Sequence, residues 1–288
     1  IMQDHNLNIS GGIGSIPYRV SLGFTDQDGI LKTDEFNRLT YGINLSPSFF
    51  DNRLQINVGL KGMRNDNHFA DRGAIGGAVH FDPTQPVRDP ESPYGGFYTW
   101  TQPNGNPNTL SPANPVALLE MRDDESTVNR YLANFSADYR FGFLPELRAN
   151  LNLAYDQAKG EGTIVVPDNA AFAFNENGNG GVNNSYNQTD RNELLEFYLN
   201  YTKALGRTNL DLMGGYSWQH FYRENFDRRD DENGIRENSN ASEFYLVSLF
   251  GRLNYTLYDR FLITLTVRQD GSSRFNKDNR FGLFPAAA

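Results

Sequence analysis

Apolar and polar residues alternate along several segments of the chain. Leu54, Ile56, Val58 and Leu60 are each followed by a polar residue or a glycine, and the segments 147–154 and 261–268 repeat this alternation. Successive side chains of a β-strand point to opposite faces of a sheet. Each segment therefore predicts a strand with one apolar face and one mostly polar face.

The same pattern predicts ten complete strands and the start of an eleventh. The ten strands cover residues 5–13, 18–25, 37–45, 54–63, 128–140, 147–156, 191–202, 209–219, 243–255 and 260–269, and the eleventh begins near Arg280. Most reach the roughly 9 to 11 residues that a tilted strand needs to cross a bilayer. Strands of soluble proteins cluster near about five or six residues, so these lengths favour strands that span a membrane.

The connections between the predicted strands alternate between two kinds. Short connections lie at residues 14–17, 46–53, 141–146, 203–208 and 256–259, and longer ones lie at 26–36, 64–127, 158–190, 220–242 and 270–279. Transmembrane β-barrels have short periplasmic turns and longer extracellular loops. The alternation therefore predicts periplasmic turns for the first set and extracellular loops for the second.

The composition is compatible with a barrel and excludes several other classes of protein. Mean hydropathy is −0.60, and no run approaches the roughly 18 apolar residues of a transmembrane helix. In a barrel only alternate residues meet lipid, so low hydropathy is expected. The net charge of −9 argues against nucleic-acid binding, and the absence of cysteine excludes zinc–thiolate sites, iron–sulfur clusters and disulfides.

An open sheet of long strands would expose two unpaired edges, and in lipid each unsatisfied backbone group costs several kcal/mol. We therefore expect residues 1–288 to be all-β and to form a portion of a large antiparallel transmembrane β-barrel. Its extracellular loops are expected at 64–127, 158–190 and 220–242. A plug domain and the closing strands are expected to lie outside this chain.

Several motifs resemble the SusC-like family of TonB-dependent outer-membrane receptors. They are LNISGG at 7–12, YRVSLGFTDQDGI at 18–30, NPVA at 114–117 at the end of the longest loop, and RQDGSSRF at 268–275 followed by NRFGLFP at 279–285. The last pair is the most specific. The final residues PAAA at 285–288 depart from the family, in which another run of strand residues would continue.

The resemblance implies a 22-stranded barrel in the outer membrane of a Gram-negative bacterium. Barrels of that size carry a plugged lumen. In such a receptor an N-terminal plug region contacts the TonB protein, a SusD-like surface lipoprotein acts as a lid, and oligosaccharides or peptides are imported. No cofactor is implied.

Aromatic residues divide into two groups. The first group is predicted to form two belts at the membrane interfaces, where amphipathic rings prefer to lie. The belt at the turn end comprises Phe49, Phe50, Phe141, Phe143, Tyr258 and Phe261. The belt at the loop end comprises Tyr155, Trp218, Phe221 and Tyr222. Tyr94, Phe97, Tyr98 and Trp100 lie instead within the longest loop, where lipid anchoring is not needed. They are candidates to stack on a sugar or grip a peptide, and the alternative, which we favour, is packing within the loop or contact with the lid.

Polar residues on the second face are expected to point into the lumen, where they contact the plug or line a path for a hydrophilic solute. They include Asn44, Asn57, Asn150, Asn152, Asn200, Asp211 and Arg268.

Other chemistry-bearing residues predict no catalytic or metal site. The four histidines, His5, His68, His80 and His220, are scattered, without a carboxylate at ligand spacing. The acidic clusters at 123–125 and 230–232 match no calcium-loop spacing and are expected to be solvated. No nucleophile elbow, phosphate-binding loop or dinucleotide motif occurs, so an enzyme is not expected.

Two rival hypotheses remain. The first is a soluble or surface-attached β-sandwich that binds carbohydrate, which predicts two stacked sheets with Ile56, Leu151 and Ile263 in a dry interior between them. The second is a barrel-type hydrolase, which predicts a nucleophile and a base that converge in space.

Overall fold

The computed structural model describes residues 1–14, 16–175, 180–231 and 233–288. Its strands are β1 (Met2–Ile13), β2 (Ile16–Asp28), β3 (Glu35–Leu45), β4 (Ser48–Phe49), β5 (Leu54–His68), β6 (Asp123–Arg140), β7 (Leu147–Val166), β8 (Val182–Leu205), β9 (Thr208–Asp231), β10 (Gly234–Leu257), β11 (Phe261–Ser272) and β12 (Phe281–Ala287). Two helices, α1 (Gly73–His80) and α2 (Pro115–Glu120), lie between β5 and β6. Single 3₁₀ turns occur at Ala171–Ala173 and Lys277–Asn279.

All twelve strands belong to one antiparallel sheet in which neighbours in the chain are neighbours in space; the two-residue β4 pairs only with β5. Nine of the ten predicted strands lie within an observed one, the tenth, 260–269, starts one residue before β11, and the eleventh begins at Phe281. The all-β antiparallel prediction is therefore confirmed. The β-sandwich hypothesis is wrong, because the described residues contain no second sheet to stack on this one.

The strand register places the alternating residues on two opposite faces. Leu151 pairs with Ala137 on one neighbouring strand and Phe197 on the other. Asn152 pairs with Ser136 and Glu196. The same parity runs through every strand pair, so the seven polar residues predicted to face the lumen share one face and the predicted apolar residues share the other. This part of the prediction is confirmed.

The apolar face has no protein layer over it. Ile263 is 44% exposed and Leu60 is 50% exposed, and none of the described residues has a large side chain that is fully buried. Soluble proteins rarely leave so continuous an apolar surface uncovered. The face has the composition of a surface that lipid covers.

Four strands extend far beyond the length that crosses a bilayer. β7 has 20 residues, and β8, β9 and β10 have 24 each. The predicted loop 158–190 therefore shrinks to residues 167–181, of which 176–179 lie outside the described residues. The predicted loop 220–242 is a hairpin, because β9 ends at Asp231 and β10 begins at Gly234.

The hairpin escaped prediction because both of its faces are polar. Arg228 pairs with Glu237 and Asp227 pairs with Asn238 across the two strands, with Arg228 Nε 3.7 Å from Glu237 Oε1 and Asn238 Nδ2 3.2 Å from Asp227 Oδ2. Backbone pairing continues there without any contrast between faces. A period of two in hydrophobicity detects strands only where one face is apolar.

The terminal strand continues through the residues that depart from the family pattern. Pro285 pairs with Val267. Thr264 and Ala288 exchange two backbone hydrogen bonds. In an antiparallel ladder every second pair of residues does so. The pair of Pro285 and Val267 is one of the intervening pairs, which exchange no hydrogen bonds with each other. The missing N–H of proline therefore removes no bond to β11.

The four residues predicted for the loop-end aromatic belt do not share one face. Tyr155, Trp218 and Tyr222 lie on the apolar face. Phe221 is adjacent to Tyr222 and must point the other way, and its ring stacks on Phe244 with centroids 4.6 Å apart. It is a residue of the polar face.

No helix among the described residues is long and apolar enough to cross a membrane.

Arginine at position 151 tests which face meets lipid. In the full-length protein, Leu151→Arg is expected to lower the free energy of unfolding from lipid vesicles by about 2–4 kcal/mol, because the charge would enter the hydrocarbon. Asn152→Arg, on the opposite face of β7, is the control and should change it by less than about 0.5 kcal/mol. Equal losses in a denaturant titration would contradict the assignment of faces.

Candidate functional site

The loop between β5 and β6 is folded around one buried amide. Asn114 is 6% exposed, and its Oδ1 accepts hydrogen bonds from the backbone N–H groups of Val116 (3.1 Å) and Ala117 (3.3 Å), which caps α2. Its Nδ2 donates to the carbonyl oxygens of Val87 (2.7 Å) and Tyr98 (3.2 Å). Pro115 follows as the first helical residue, where a missing N–H costs no bond. One side chain thus ties α2 to two distant parts of the loop.

Aromatic rings form the interior of this loop. Trp100 contacts Phe81 and Tyr98 edge to face, with centroids 4.9 and 5.2 Å apart. Phe97 is 3% exposed, and its ring lies 4.7 Å from the guanidinium carbon of Arg88. Of the four candidate aromatics, Phe97 is thus a packing residue and is not presented to a ligand.

The other three candidate aromatics line a narrow crevice. Tyr94, Tyr98 and Trp100 face residues of the 167–181 loop, among them Phe172 and Phe174, around a cavity of about 180 Å³. Tyr94 Oη donates a hydrogen bond to the carbonyl oxygen of Gly105 (2.8 Å). Sequence analysis missed Phe172 and Phe174, because nothing in the sequence pairs the two loops.

Ion pairs attach the loop to the β2–β3 connection. Glu120, at the end of α2, contacts Lys32 Nζ, and its Oε2 lies 2.5 Å from Arg88 Nη2. Thr33 Oγ1 donates to the carbonyl oxygen of Leu119 (3.2 Å). The hydrogen bond from Lys32, helped by that from Arg88 and opposed by partial burial, holds the pKa of Glu120 below its ordinary value.

The polar face carries a network of paired side chains. Arg148 Nη2 lies 2.7 Å from Asp138 Oδ1, and Arg130 Nη2 lies 2.6 Å from Asp156 Oδ2. Asn200 donates to Asp211 (3.2 Å). These groups satisfy one another across neighbouring strands, so this face of the sheet is hydrophilic and several of its charges are paired.

Two of the four histidines are not isolated, which corrects the sequence analysis. His68 ends β5 and lies beside Asp123 and Glu125, with one potential ligand atom of each residue within 4.8 Å of the others. His220 is 4% exposed, with Nδ1 2.7 Å from Glu193 Oε2 and Nε2 2.8 Å from Glu243 Oε1. Strand pairing brings these carboxylates in from other parts of the chain, so spacing in the sequence could not show them.

The second acidic cluster is partly neutralised. Asp231 Oδ2 lies 2.6 Å from Arg236 Nη2, and Asp230 Oδ2 lies 3.0 Å from Arg228 Nη2. Glu232, the third member, lies outside the described residues.

Residues 62–288 match the family model described as TonB dependent receptor-like, beta-barrel. The TonB-dependent receptor SusC of Bacteroides thetaiotaomicron is 41% identical over the whole of this chain and 31% of its own length. The TonB-dependent receptor P3 of Formosa agariphila is 28% identical over 98% of this chain and 29% of its own length.

Solved structures show the same fold. The RagAB peptide transporter superposes with a TM-score of 0.75 at 17% identity, over 99% of this chain and 33% of that one. The siderophore receptor PiuA from Acinetobacter baumannii superposes with a TM-score of 0.54 at 10% identity, over 100% of this chain and 44% of that one.

This chain spans about a third of the length of the curated relatives it matches. The single sheet with one uncovered apolar face, the match over residues 62–288 and the similarity to SusC agree with one another. The chain belongs to the TonB-dependent receptor-like β-barrel family of the Gram-negative outer membrane, and it is similar to the SusC-like members of that family.

Proposed function

We propose that the protein containing this chain imports oligosaccharides or peptides across the outer membrane, driven by TonB through an N-terminal region and covered by a SusD-like surface lipoprotein. In this proposal the chain supplies part of the barrel wall and the outer loops. The observation that carries it is the mostly polar face, which runs along strands of up to 24 residues and ends beside the folded aromatic loops.

The polar wall suits a hydrophilic solute. Asn152, Ser136 and Glu196 form one row across three strands, and rows of this kind repeat along the sheet. Such groups exchange hydrogen bonds with a passing sugar or peptide at small cost, because they would otherwise be hydrated.

The aromatic crevice suits a part of a substrate. Its volume of about 180 Å³ is below the roughly 300–1,000 Å³ of most small-molecule pockets. It can therefore take one ring or one side chain of a longer molecule. Tyr98 and Trp100 would supply flat faces for stacking, and Tyr94 its hydroxyl.

Exposed apolar side chains on the same loop suit the lid. Ile75 and Val79 on α1 are 58% and 77% exposed, and Leu110 is 96% exposed. They lie on the folded loop that carries the crevice, at the end of the sheet away from the short turns. A lipoprotein covering the barrel would bury them, which is consistent with the enrichment of apolar residues at interface cores.

The role of the crevice is tested by comparing two substitutions. Trp100→Ala is expected to weaken substrate binding to the full receptor by about threefold to tenfold, because a ring contact is worth about 0.5–1.5 kcal/mol. Phe81→Leu disturbs the same ring cluster without reaching the crevice. It should change affinity less than twofold in titration calorimetry with glycan or peptide. Equal losses would assign the aromatics to packing.

Asn114→Ala tests whether one amide holds the loop together. Loss of its hydrogen bonds should destabilise the loop by about 2 kcal/mol, which raises amide exchange of residues 87–98 and 115–120 roughly 30-fold. The barrel strands should exchange at their usual rate. Asn104→Ala, an exposed residue of the same loop, is the control. Unchanged exchange in the Asn114 variant would show that the ring cluster suffices.

Acid should release the loop from the β2–β3 connection. Because the pKa of Glu120 is lowered in the folded protein, the stability it contributes is complete above its ordinary value of 4.5 and is lost as pH falls through the lowered value. Proteolysis of residues 69–122 should therefore accelerate only when the pH falls below that lowered pKa. The cleavage rate of Glu120→Gln should be the same at pH 7 and in acid. The cleavage rate of the control, Glu91→Gln, should match that of the unmodified protein at each pH. A transition near neutral pH would contradict the assignment.

A further inference from the structure

The base of the longest loop brings a histidine and two carboxylates together. β5 ends at His68 and β6 begins at Asp123, and His68 pairs directly with Glu125. Asp123 lies two residues before Glu125 and therefore on the same face. In an antiparallel pair, direct and diagonal neighbours are within reach of each other. The geometry follows from the register of two strands whose ends are separated by the whole loop.

The histidine and the aspartate approach each other without a hydrogen bond. His68 Nε2 lies 3.2 Å from Asp123 Oδ1. The nitrogen is nevertheless inaccessible to solvent and has no hydrogen-bond partner, because the angle at this contact is unfavourable. Two ligand atoms on one tetrahedral Zn²⁺ ion, each about 2.0–2.1 Å from it, lie about 3.3 Å apart. The observed contact has that spacing.

Apart from His68, the described residues provide no basic partner for the negative charges at this place. Among the residues that the structure describes, no Lys or Arg pairs with Asp123, Glu125 or Glu35, which pairs with His68 from β3. The neighbouring Asp124 differs, since Arg122 Nη2 lies 2.9 Å from its Oδ2. Glu35, His68 and Glu125 also line an open hollow of about 710 Å³. A cation would compensate charge that the protein leaves unpaired.

We propose that His68, Asp123 and Glu125 bind a divalent transition-metal ion of the Zn²⁺ type. One imidazole with two carboxylates is a ligand set that Zn²⁺ accepts, with water in the remaining position. Calcium prefers an all-oxygen set and would not use the imidazole. The site lies further along β5 than the apolar stretch that ends at Leu60, so it is outside the lipid and open to ions.

Metal binding would clamp the two ends of the loop together. His68 precedes the loop and Asp123 follows it, so one ion would join the strands at the point where the loop leaves the sheet. A ligand that binds only the folded form stabilises it by mass action. The loop should then resist proteolysis better with the metal than without it, whatever substrate the receptor carries.

Zn²⁺ titration of the full-length receptor tests the site. The receptor is purified in detergent without a polyhistidine tag, treated with chelator and titrated calorimetrically with Zn²⁺. His68→Gln and Glu125→Gln should each lose one binding site or weaken it by at least about 100-fold. His80→Gln removes an exposed histidine of α1 that belongs to no cluster of three potential ligands among the described residues, and it should bind like the unmodified receptor.

Two further readouts separate coordination from a structural effect. The visible d–d bands of bound Co²⁺ should change in His68→Gln and not in His80→Gln, and Zn²⁺ should protect residues 69–122 from protease only when His68 is present. Unheated migration in SDS confirms that each variant keeps its barrel. Equal Zn²⁺ binding with and without His68, or binding of Ca²⁺ in preference to Zn²⁺, would overturn the proposal. Substrate import is not a readout, so this result is independent of the proposed function.

Discussion

The structure depends on an uninterrupted backbone ladder between strands that separate lipid from water. In hydrocarbon every N–H and C=O group needs a protein partner, and only a closed barrel supplies one for every strand. Across the described residues each strand pair keeps one register over its full length. A slip by a single residue would exchange the faces, placing Leu151 in the lumen and Asn152 in lipid. The alternation of apolar and polar residues in the sequence therefore follows from the contact of one face with lipid and the other with water.

The same ladder builds sites from residues far apart in the chain. His220 meets Glu193 and Glu243 because β9 lies between β8 and β10, and its ring stacks on Tyr245 at 4.4 Å. His68 meets Glu125 because the strands that flank the longest loop pair with each other. In both places a polar cluster lies on the outer face beyond the apolar stretch, where side chains of that face leave the lipid. The register that the membrane enforces therefore continues to organise side chains outside it.

Sequence analysis predicted the strands in the membrane well because one of their faces is apolar. It failed where that contrast ends: the hairpin of β9 and β10 carries ion pairs on hydrated faces, so its strands look like a polar loop. It also assigned Phe221 to the aromatic belt from composition alone, although adjacency to Tyr222 requires the opposite face. The contacts of His68 and His220 with carboxylates could not be predicted for a different reason, since they depend on which strands pair. Residues 123–125 fell within the predicted loop 64–127, so the sequence analysis did not place Asp123 and Glu125 on one strand face, and it left His68 isolated.

The folded loop explains one motif that sequence analysis could use only as a resemblance. Asn114 must be an amide, because its oxygen caps a helix while its nitrogen donates to two carbonyl groups, whereas aspartate would have no donor and serine only one. Pro115 starts the helix and Ala117 is buried, so a larger side chain would not fit there. Asn114, Pro115 and Ala117 thus each have a structural role within the loop, and none of the described contacts requires a ligand. Under the proposed function, specificity for a substrate would be sought in Tyr94, Tyr98 and Trp100, which this scaffold holds at the crevice.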